Sequence, residues 1–396
     1  MEDAVPAPMV VRYEGRTGEI FGLSLRVGLL TLITLYIYRF WATTRVRRWF
    51  WSRIRVGDER LEYSGAGFEL FVGFVKVALV LGVVLIPLKL AENFYDPDST
   101  AAGIISFAQL LFLGLLYVFA IYYARRYRLS RTQWHGIRAN LVGSSLDYLK
   151  LTVGYLLLTA VTLGVAYPYY RIATRRYLLD HTWFGDQKFS CTARARSLMG
   201  RWLIYLGLGL VLLGFIGFQA WDLVLAQNGG ASSATMGPAV ARLVGAYFLV
   251  ALLVGFFFIA YRTAEFRVLA DSFTFQNVRV SSDLSARRML LFALKMSGAA
   301  LLWTVALGVV VVAILRVFGG FGMPTAPFAV GLLGMFVLLS LLAISVFTRT
   351  YYNGLLRRVV ASLSFQGAPD LARIGQTAAP VPRWGEGMLE AFDFAG

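Results

Sequence analysis

Arg39, Arg45, Arg47 and Arg48 stand among Trp41, Trp49 and Trp51 in the stretch "YRFWATTRVRRWFWS" (38–52). The stretch "YPYYRIATRRYLLD" (167–180) repeats the mixture with Arg171, Arg175 and Arg176. A guanidinium is a planar fork that holds a phosphate at two points. Indole and phenol rings settle where an apolar medium meets water. Two readings are open to these residues: anchoring at the membrane interface that only sets topology, or a pocket there for an anionic headgroup or other anionic ligand. Arg39, Trp41, Arg45, Arg47, Arg48, Trp51, Arg175 and Arg176 are therefore the candidate interfacial collar.

Other chemistry is poorly supplied. Asp180 and His181 are adjacent, and adjacent strand residues point to opposite faces, so they make no dyad. His135 in "QWHGIRAN" reads as structural. Two histidines and the single Cys191 exclude a zinc site and an intramolecular disulfide framework. No HExxH, GxSxG or P-loop pattern occurs. No enzyme, cofactor or metal is expected. Arg26 lies inside the first apolar segment, where a charge marks a functional candidate. With Thr31 and Thr34 it is the candidate lining of a cavity. Lys76 and Lys295 sit near the basic ends of their segments and are expected to snorkel. Gln109 and Gln219 are expected to bond between helices.

The elements that must position these residues follow from composition. The chain has 396 residues, 58% hydrophobic and 15% charged. Soluble domains carry about 25% charged residues, so this is a membrane protein. Net charge is +16, with 33 arginines against five lysines. These cations interleave with apolar segments, which points to an anionic leaflet and away from nucleic acid. The acidic start "MEDAVPAP" carries no basic stretch of the kind that opens a cleavable signal.

Apolar runs lie at roughly 20–38, 70–90, 103–123, 146–167, 199–220, 240–261, 288–315 and 327–347. Connections 89–103, 220–241 and 317–327 hold almost no basic residues, whereas the rest are rich in arginine. The positive-inside rule puts the poor connections outside and the rich ones in the cytoplasm. Eight strict crossings cannot satisfy that, because either 39–60 or 168–198 would fall outside. The conflict disappears if the segment at 146–167, and by analogy that at 20–38, enters and leaves on the cytoplasmic side.

An internal repeat supports the analogy. Shifted by 128 residues, 34–65 matches 162–193 without a gap. Thr34/Thr162, Leu35/Leu163, Arg47/Arg175, Arg48/Arg176, Gly57/Gly185 and Asp58/Asp186 are identical. The basic connections read as a helix end followed by a small β-hairpin turning at Gly57-Asp58 and its counterpart. "GRTGEIF" (15–21) returns as "GAGFELF" (65–71), with a glutamate at each helix start to favour the helix dipole.

The expected fold is thus an all-α polytopic membrane protein with small cytoplasmic β-hairpins. A duplicated unit of one re-entrant helical segment plus two transmembrane helices is followed by a final transmembrane pair. Its parts are a cytoplasmic N-terminus (1–18), a first membrane repeat (19–145), the first part of a second (146–239), the remaining transmembrane helices (240–347) and a cytoplasmic tail (348–396). Both termini are expected in the cytoplasm, and 368–396 is expected to be partly disordered.

"LLTLITLYIYRFWATTRVRRWFWS", then "GDERLEYSGAGFELFVGF", resembles the YjgN-like family of bacterial inner-membrane proteins, a domain family of unknown function. "TLGVAYPYYRIATRRYLLDHTWFG" is similar to that family's second copy, and "RWGEGMLEAFDFAG" to its usual ending. The family usually has Trp-Ala after the proline of the second copy, where this chain has Tyr169-Tyr170. The resemblance implies an inner-membrane location and no particular activity. Two functions remain. Duplication and re-entrant segments favour a transporter or channel for a small solute or lipid. The alternative is a non-catalytic scaffold or adaptor whose basic cytoplasmic face binds anionic lipid or a protein partner.

Overall fold

Backbone groups in hydrocarbon must bond within their own segment, so long apolar runs fold as helices. The computed structural model describes residues 9–96, 98–228, 233–320 and 325–376. The chain opens with β1 (Val11–Tyr13), α1 (Thr17–Ile33) and α2 (Arg39–Ser52), then β2 (Ile54–Val56) and β3 (Glu59–Arg60). From β4 (Glu62–Tyr63) it runs through α3 (Gly67–Glu92) and α4 (Thr100–Ser130) to β5 (Thr132–Trp134) and β6 (Ile137–Leu141). Next come α5 (Ser145–Val161), α6 (Tyr167–Asp180), β7 (Thr182–Phe184) and β8 (Gln187–Lys188). From β9 (Ser190–Cys191), α7 (Arg196–Asn228) and α8 (Ser233–Asp271) lead to β10 (Phe273–Phe275) and β11 (Val278–Ser282). Last, α9 (Ala286–Gly320) and α10 (Thr325–Ala361) lead to β12 (Leu363–Gln366).

One rule orders this list. Every helix pair leaves from one strand and returns to that strand's antiparallel neighbour. The framing pairs are β1 with β2, β4 with β5, β6 with β7, β9 with β10, and β11 with β12. Among the described residues, six helices are long and apolar enough to cross a membrane: α3, α4, α7, α8, α9 and α10. The first helices of the other two pairs, α1 and α5, have 17 residues each. At 1.5 Å per residue that is about 25 Å, short of the roughly 30 Å of hydrocarbon.

The bounds of α5, α6, β7, β8 and β9 each lie 128 residues after those of α1, α2, β2, β3 and β4. The turns match as well. Leu35 and Leu163 both have φ 49°, followed by Tyr36 at 73° and Gly164 at 91°. Thr34 Oγ1 accepts from the Tyr38 N–H at 3.0 Å, and Thr162 Oγ1 from Ala166 at 3.1 Å. This side-chain bond replaces a backbone partner where the chain reverses.

The reversal corrects the expected segment limits. Residues 20–38 and 146–167 are each one arm and a turn; the returning arms are α2 and α6, the stretches expected to lie in a collar beyond the apolar segment. Their polar composition disguised them. It is accommodated because each buries part of one side among other helices: Phe40, Val46 and Phe50 on α2, and Ile172 and Leu178 on α6.

The strands form sheets ordered β1-β2-β3, β4-β5-β6-β7-β8 and β9-β10-β11-β12. Leu61 and Phe189, between sheets, donate to Ile54 O and Thr182 O, each at 3.0 Å. Met9 N–H donates to Gly367 O at 3.2 Å, so the start of the described chain meets the residue that follows β12. Ala139, Phe184, Phe275 and Ile374 bury a core between the last two sheets. The segment expected as a tail from 348 is instead α10 to Ala361, then β12, then a strap with a 3-10 turn at Leu371–Arg373. Asp186 holds the strap: its N–H donates to Gly375 O at 3.1 Å, and its Oδ1 accepts from Gly375 N–H at 3.2 Å. The part of the expected disordered tail beyond 376 lies outside the described residues.

Candidate functional site

The returning arm α6 carries Arg171 and Arg175 into the protein, toward α8. Glu265 on α8 is 3% exposed and takes a two-point fork from Arg171, with Nη2 to Oε1 at 2.9 Å and Nε to Oε2 at 3.3 Å. Arg262, one turn earlier on the same helix, donates to Oε2 at 2.9 Å. A buried carboxylate needs such bonds to offset its lost hydration. Beside this cluster Tyr167 stacks on Trp202 with ring centres 4.6 Å apart, and Tyr261 lies 5.2 Å from Trp202. Trp202 Nε1 donates to Gly164 O at 2.8 Å, fastening the turn of the second short hairpin.

A cavity of about 420 Å³ opens next to Glu265. Arg125 from α4, Arg175 from α6 and Arg262 from α8 line its polar side. Phe266, Leu269, Phe273, Val280, Leu363 and Phe365 form the apolar side. A second space of about 590 Å³ lies between α9 and α10, bordered by Arg288, Lys295, Arg357 and Arg358. Lys295 thus joins other cations near the strand ends.

The expected collar is divided among several jobs. Arg48 donates to Gly65 O at 2.8 Å, and Trp51 Nε1 to Thr132 Oγ1 at 2.9 Å. Trp41 packs on Phe71 with centres 6.0 Å apart. Arg45 is exposed and Arg47 half-buried. Arg176 pairs with Asp180 at 3.2 Å, and Arg175 faces the cavity beside Glu265. Arg39 lies near the turn of the first short hairpin, not at the strand ends.

At that turn the expected cavity residues separate. Thr31 lines a space of about 190 Å³ with Tyr36, Arg39, Ser345 and Arg349. Arg26 is exposed on another part of α1, and Thr34 serves the turn. Asp180 and His181 border one space but take different partners: Asp180 Oδ1 accepts from Cys191 N–H at 2.8 Å, while His181 stacks on Tyr177 at 4.1 Å. Gln109 donates to Glu92 across α3 and α4 at 3.5 Å, as an interhelical partner should.

The glutamates of the two matched motifs do more than face a helix dipole. Glu19 pairs with Arg53 and Glu69 with Arg131, both at 2.7 Å. Each arginine is the residue just past a helix, α2 or α4. Arg48 and Arg357 bond the motifs' leading carbonyls, Gly65 O and Gly15 O.

A family model described as "Bacterial protein of unknown function (DUF898)" matches residues 8–314. The chain belongs to this family. A Salmonella typhimurium relative named "Inner membrane protein YjgN" is 32% identical over 81 residues, which is 20% of each chain. The match therefore spans about a fifth of that relative's length. No solved structure matches. The relative's name and six apolar helices support an inner-membrane location for this DUF898 chain. The family carries no assigned activity, so function rests on the site itself.

Sequence reading missed Arg125, Arg262 and Glu265, because it ended the apolar runs at 123 and 261. The signal was present in "YRTAEFRVLAD" (261–271), where Arg262 and Glu265 stand three apart on a helix that continues past its apolar run.

Proposed function

We propose that this chain is a membrane scaffold that gathers anionic lipid at its strand-bearing, arginine-rich face. Six helices cross, and two short hairpins enter and leave on that face. One observation carries the reading: all five helix pairs start and end on adjacent antiparallel strands. The arginine-bearing links then share one side, and the positive-inside rule makes it cytoplasmic. Residues 9 and 367, bonded to each other, lie on that side too.

The hairpin turns support insertion into the leaflet. Ile33 and Leu35 at one turn, and Val161 and Leu163 at the other, are each more than three-quarters exposed. Such a side chain gains about 1.5–3 kcal/mol on leaving water. A left-handed non-glycine residue costs about 1–3 kcal/mol. Several apolar side chains per turn outweigh the strain at Leu35, Tyr36 or Leu163. The matching bounds at an interval of 128 residues support descent from a duplicated unit.

Transport draws on the 190 Å³ space at the first turn. The larger basic spaces lie toward the strands, which favours binding over conduction. The test is lipid enrichment. Purified chain reconstituted in nanodiscs of mixed phosphatidylcholine and phosphatidylglycerol is expected to retain phosphatidylglycerol preferentially on transfer to detergent, read by native mass spectrometry. Retention in proportion to the input mixture would overturn the reading.

A further inference from the structure

We infer that the cavity between α4, α6, α8 and the β10–β12 strands is a site for one amphiphile with a phosphate head and an apolar chain. The inference rests on the anionic-lipid reading and names the place and the ligand.

Charge is the first argument. Glu265 is already shared by Arg171 and Arg262. Among the described residues no carboxylate bonds Arg125 or Arg175, although both line the same space. Arg125 Nε is buried with no hydrogen-bond partner. Glu265, already forked by Arg171 and Arg262, is the one carboxylate lining the space, so Arg125 and Arg175 are under-compensated and repel each other, and the Arg125 donor stays unmet. An anion between them removes both costs. The planar forks suit phosphate oxygens, which accept two parallel N–H bonds from each.

The apolar lining is the second argument. Phe266, Leu269, Phe273, Val280, Leu363 and Phe365 offer a phosphate nothing. They suit a hydrocarbon chain, whose burial contributes about 0.8 kcal/mol per methylene. The space, about 420 Å³, falls within the roughly 300–1,000 Å³ of ordinary ligand pockets. It holds a headgroup and the first part of a chain. Arg125 lies five residues before the end of α4 and Arg262 nine before the end of α8, so the site sits at the basic end of the long helices.

The third argument is position. The cationic lining takes one arginine each from α4, α6 and α8, and the apolar lining comes partly from strands that frame the last helix pair. A ligand there would join helices framed by the five-stranded sheet to elements of the four-stranded one.

The test measures binding of dihexanoyl phosphatidic acid to the full chain in amphipol by calorimetry. Dihexanoyl phosphatidylcholine and inorganic phosphate are the other two arms. Phosphatidic acid is expected to bind at least tenfold more tightly than either. Arg125→Gln and Arg175→Gln are each expected to weaken it about ten- to hundredfold, the size of a lost charged hydrogen-bond pair. Arg125→Lys, which keeps the charge and loses the fork, falls between, and Arg242→Gln, exposed near the other end of α8, leaves binding unchanged. Dibutyryl phosphatidic acid is expected to bind the unaltered chain more weakly than the dihexanoyl form, a readout that needs no variant. Equal binding of phosphate and phosphatidic acid would overturn the apolar half of the site. Undiminished binding in both glutamine variants, with phosphatidic acid still preferred, would overturn this cavity and leave the anionic face standing. No preference over phosphatidylcholine in the unaltered chain would overturn both.

Discussion

Arg171 on α6 grips Glu265 on α8 by two parallel bonds, 2.9 and 3.3 Å long, and fixes a short returning arm to a membrane-length helix. Only 3% of Glu265 is exposed, and removing it strands the largely buried Arg171. Glu265→Ala is expected to destabilise the chain by about 3–5 kcal/mol, because Arg171 and Arg262 lose the carboxylate they share. Thermal unfolding in detergent, read by size-exclusion fluorescence, checks this. A single variant as stable as the parent would mean that the pair contributes nothing to holding α6.

Strand framing predicts sidedness. Asp58 and Asp186 occupy equivalent strand turns and are exposed, while Asn93 lies at the far end of α3. On a background without Cys191, cysteines at 58 and 186 should both resist a membrane-impermeant maleimide in spheroplasts and react after permeabilisation. A cysteine at 93 should react in intact spheroplasts. A cysteine at 163, in the turn of the second short hairpin, should react poorly in both. Opposite behaviour at 58 and 186 would mean that one short hairpin crosses.

Much of this arrangement was legible in the sequence. The six long helices follow from apolar run length, and the strand turns from Gly57-Asp58 and Gly185-Asp186, whose glycines adopt φ near 60°. The returning arms were not legible. Arg47, Arg175 and their neighbours give α2 and α6 the composition of a solvated link, and only contacts far along the chain, such as Arg171 with Glu265, make them interior helices. The cavity was hidden for the same reason. Its arginines come from α4, α6 and α8, and nothing local relates position 125 to 175 or 262. The strap at 367–376 was expected almost entirely within a partly disordered tail, because its hold on Asp186 spans 189 residues.

Cys191 illustrates how local pattern misleads about access. Its place in a basic link, expected on the cytoplasmic side, makes it look reachable after permeabilisation. In the fold it is 1% exposed, packed with Ile172 and Leu198, and burial pushes its thiol above the ordinary value. Less thiolate forms at any given pH, and the thiolate is the reactive species. Even in permeabilised cells at pH 7.5, Cys191 should react far more slowly than in denatured protein. The gap should persist as pH rises toward 9, where an ordinary thiol becomes largely ionised. Equal rates in native and denatured chain would show that β9 is open to solvent.

Gly57 and Gly185 are equivalent turn glycines with φ of 60° and 58°, yet they predict different costs. A Cβ at Gly57 meets nothing within 4 Å, so Gly57→Ala incurs only backbone strain, about 1 kcal/mol. A Cβ at Gly185 collides with Gly375 O and lies 2.7 Å from Ile374 Cγ2. Ile374 is buried in the core that Phe184 and Phe275 share, so the strap must lift or the turn must deform. Gly185→Ala should therefore add roughly 1–3 kcal/mol to the same strain. It should also expose the strap, so that limited proteolysis of the purified protein cuts near 367–376 faster than in Gly57→Ala. Identical cleavage in the two variants would mean that the strap is held without the turn at 185.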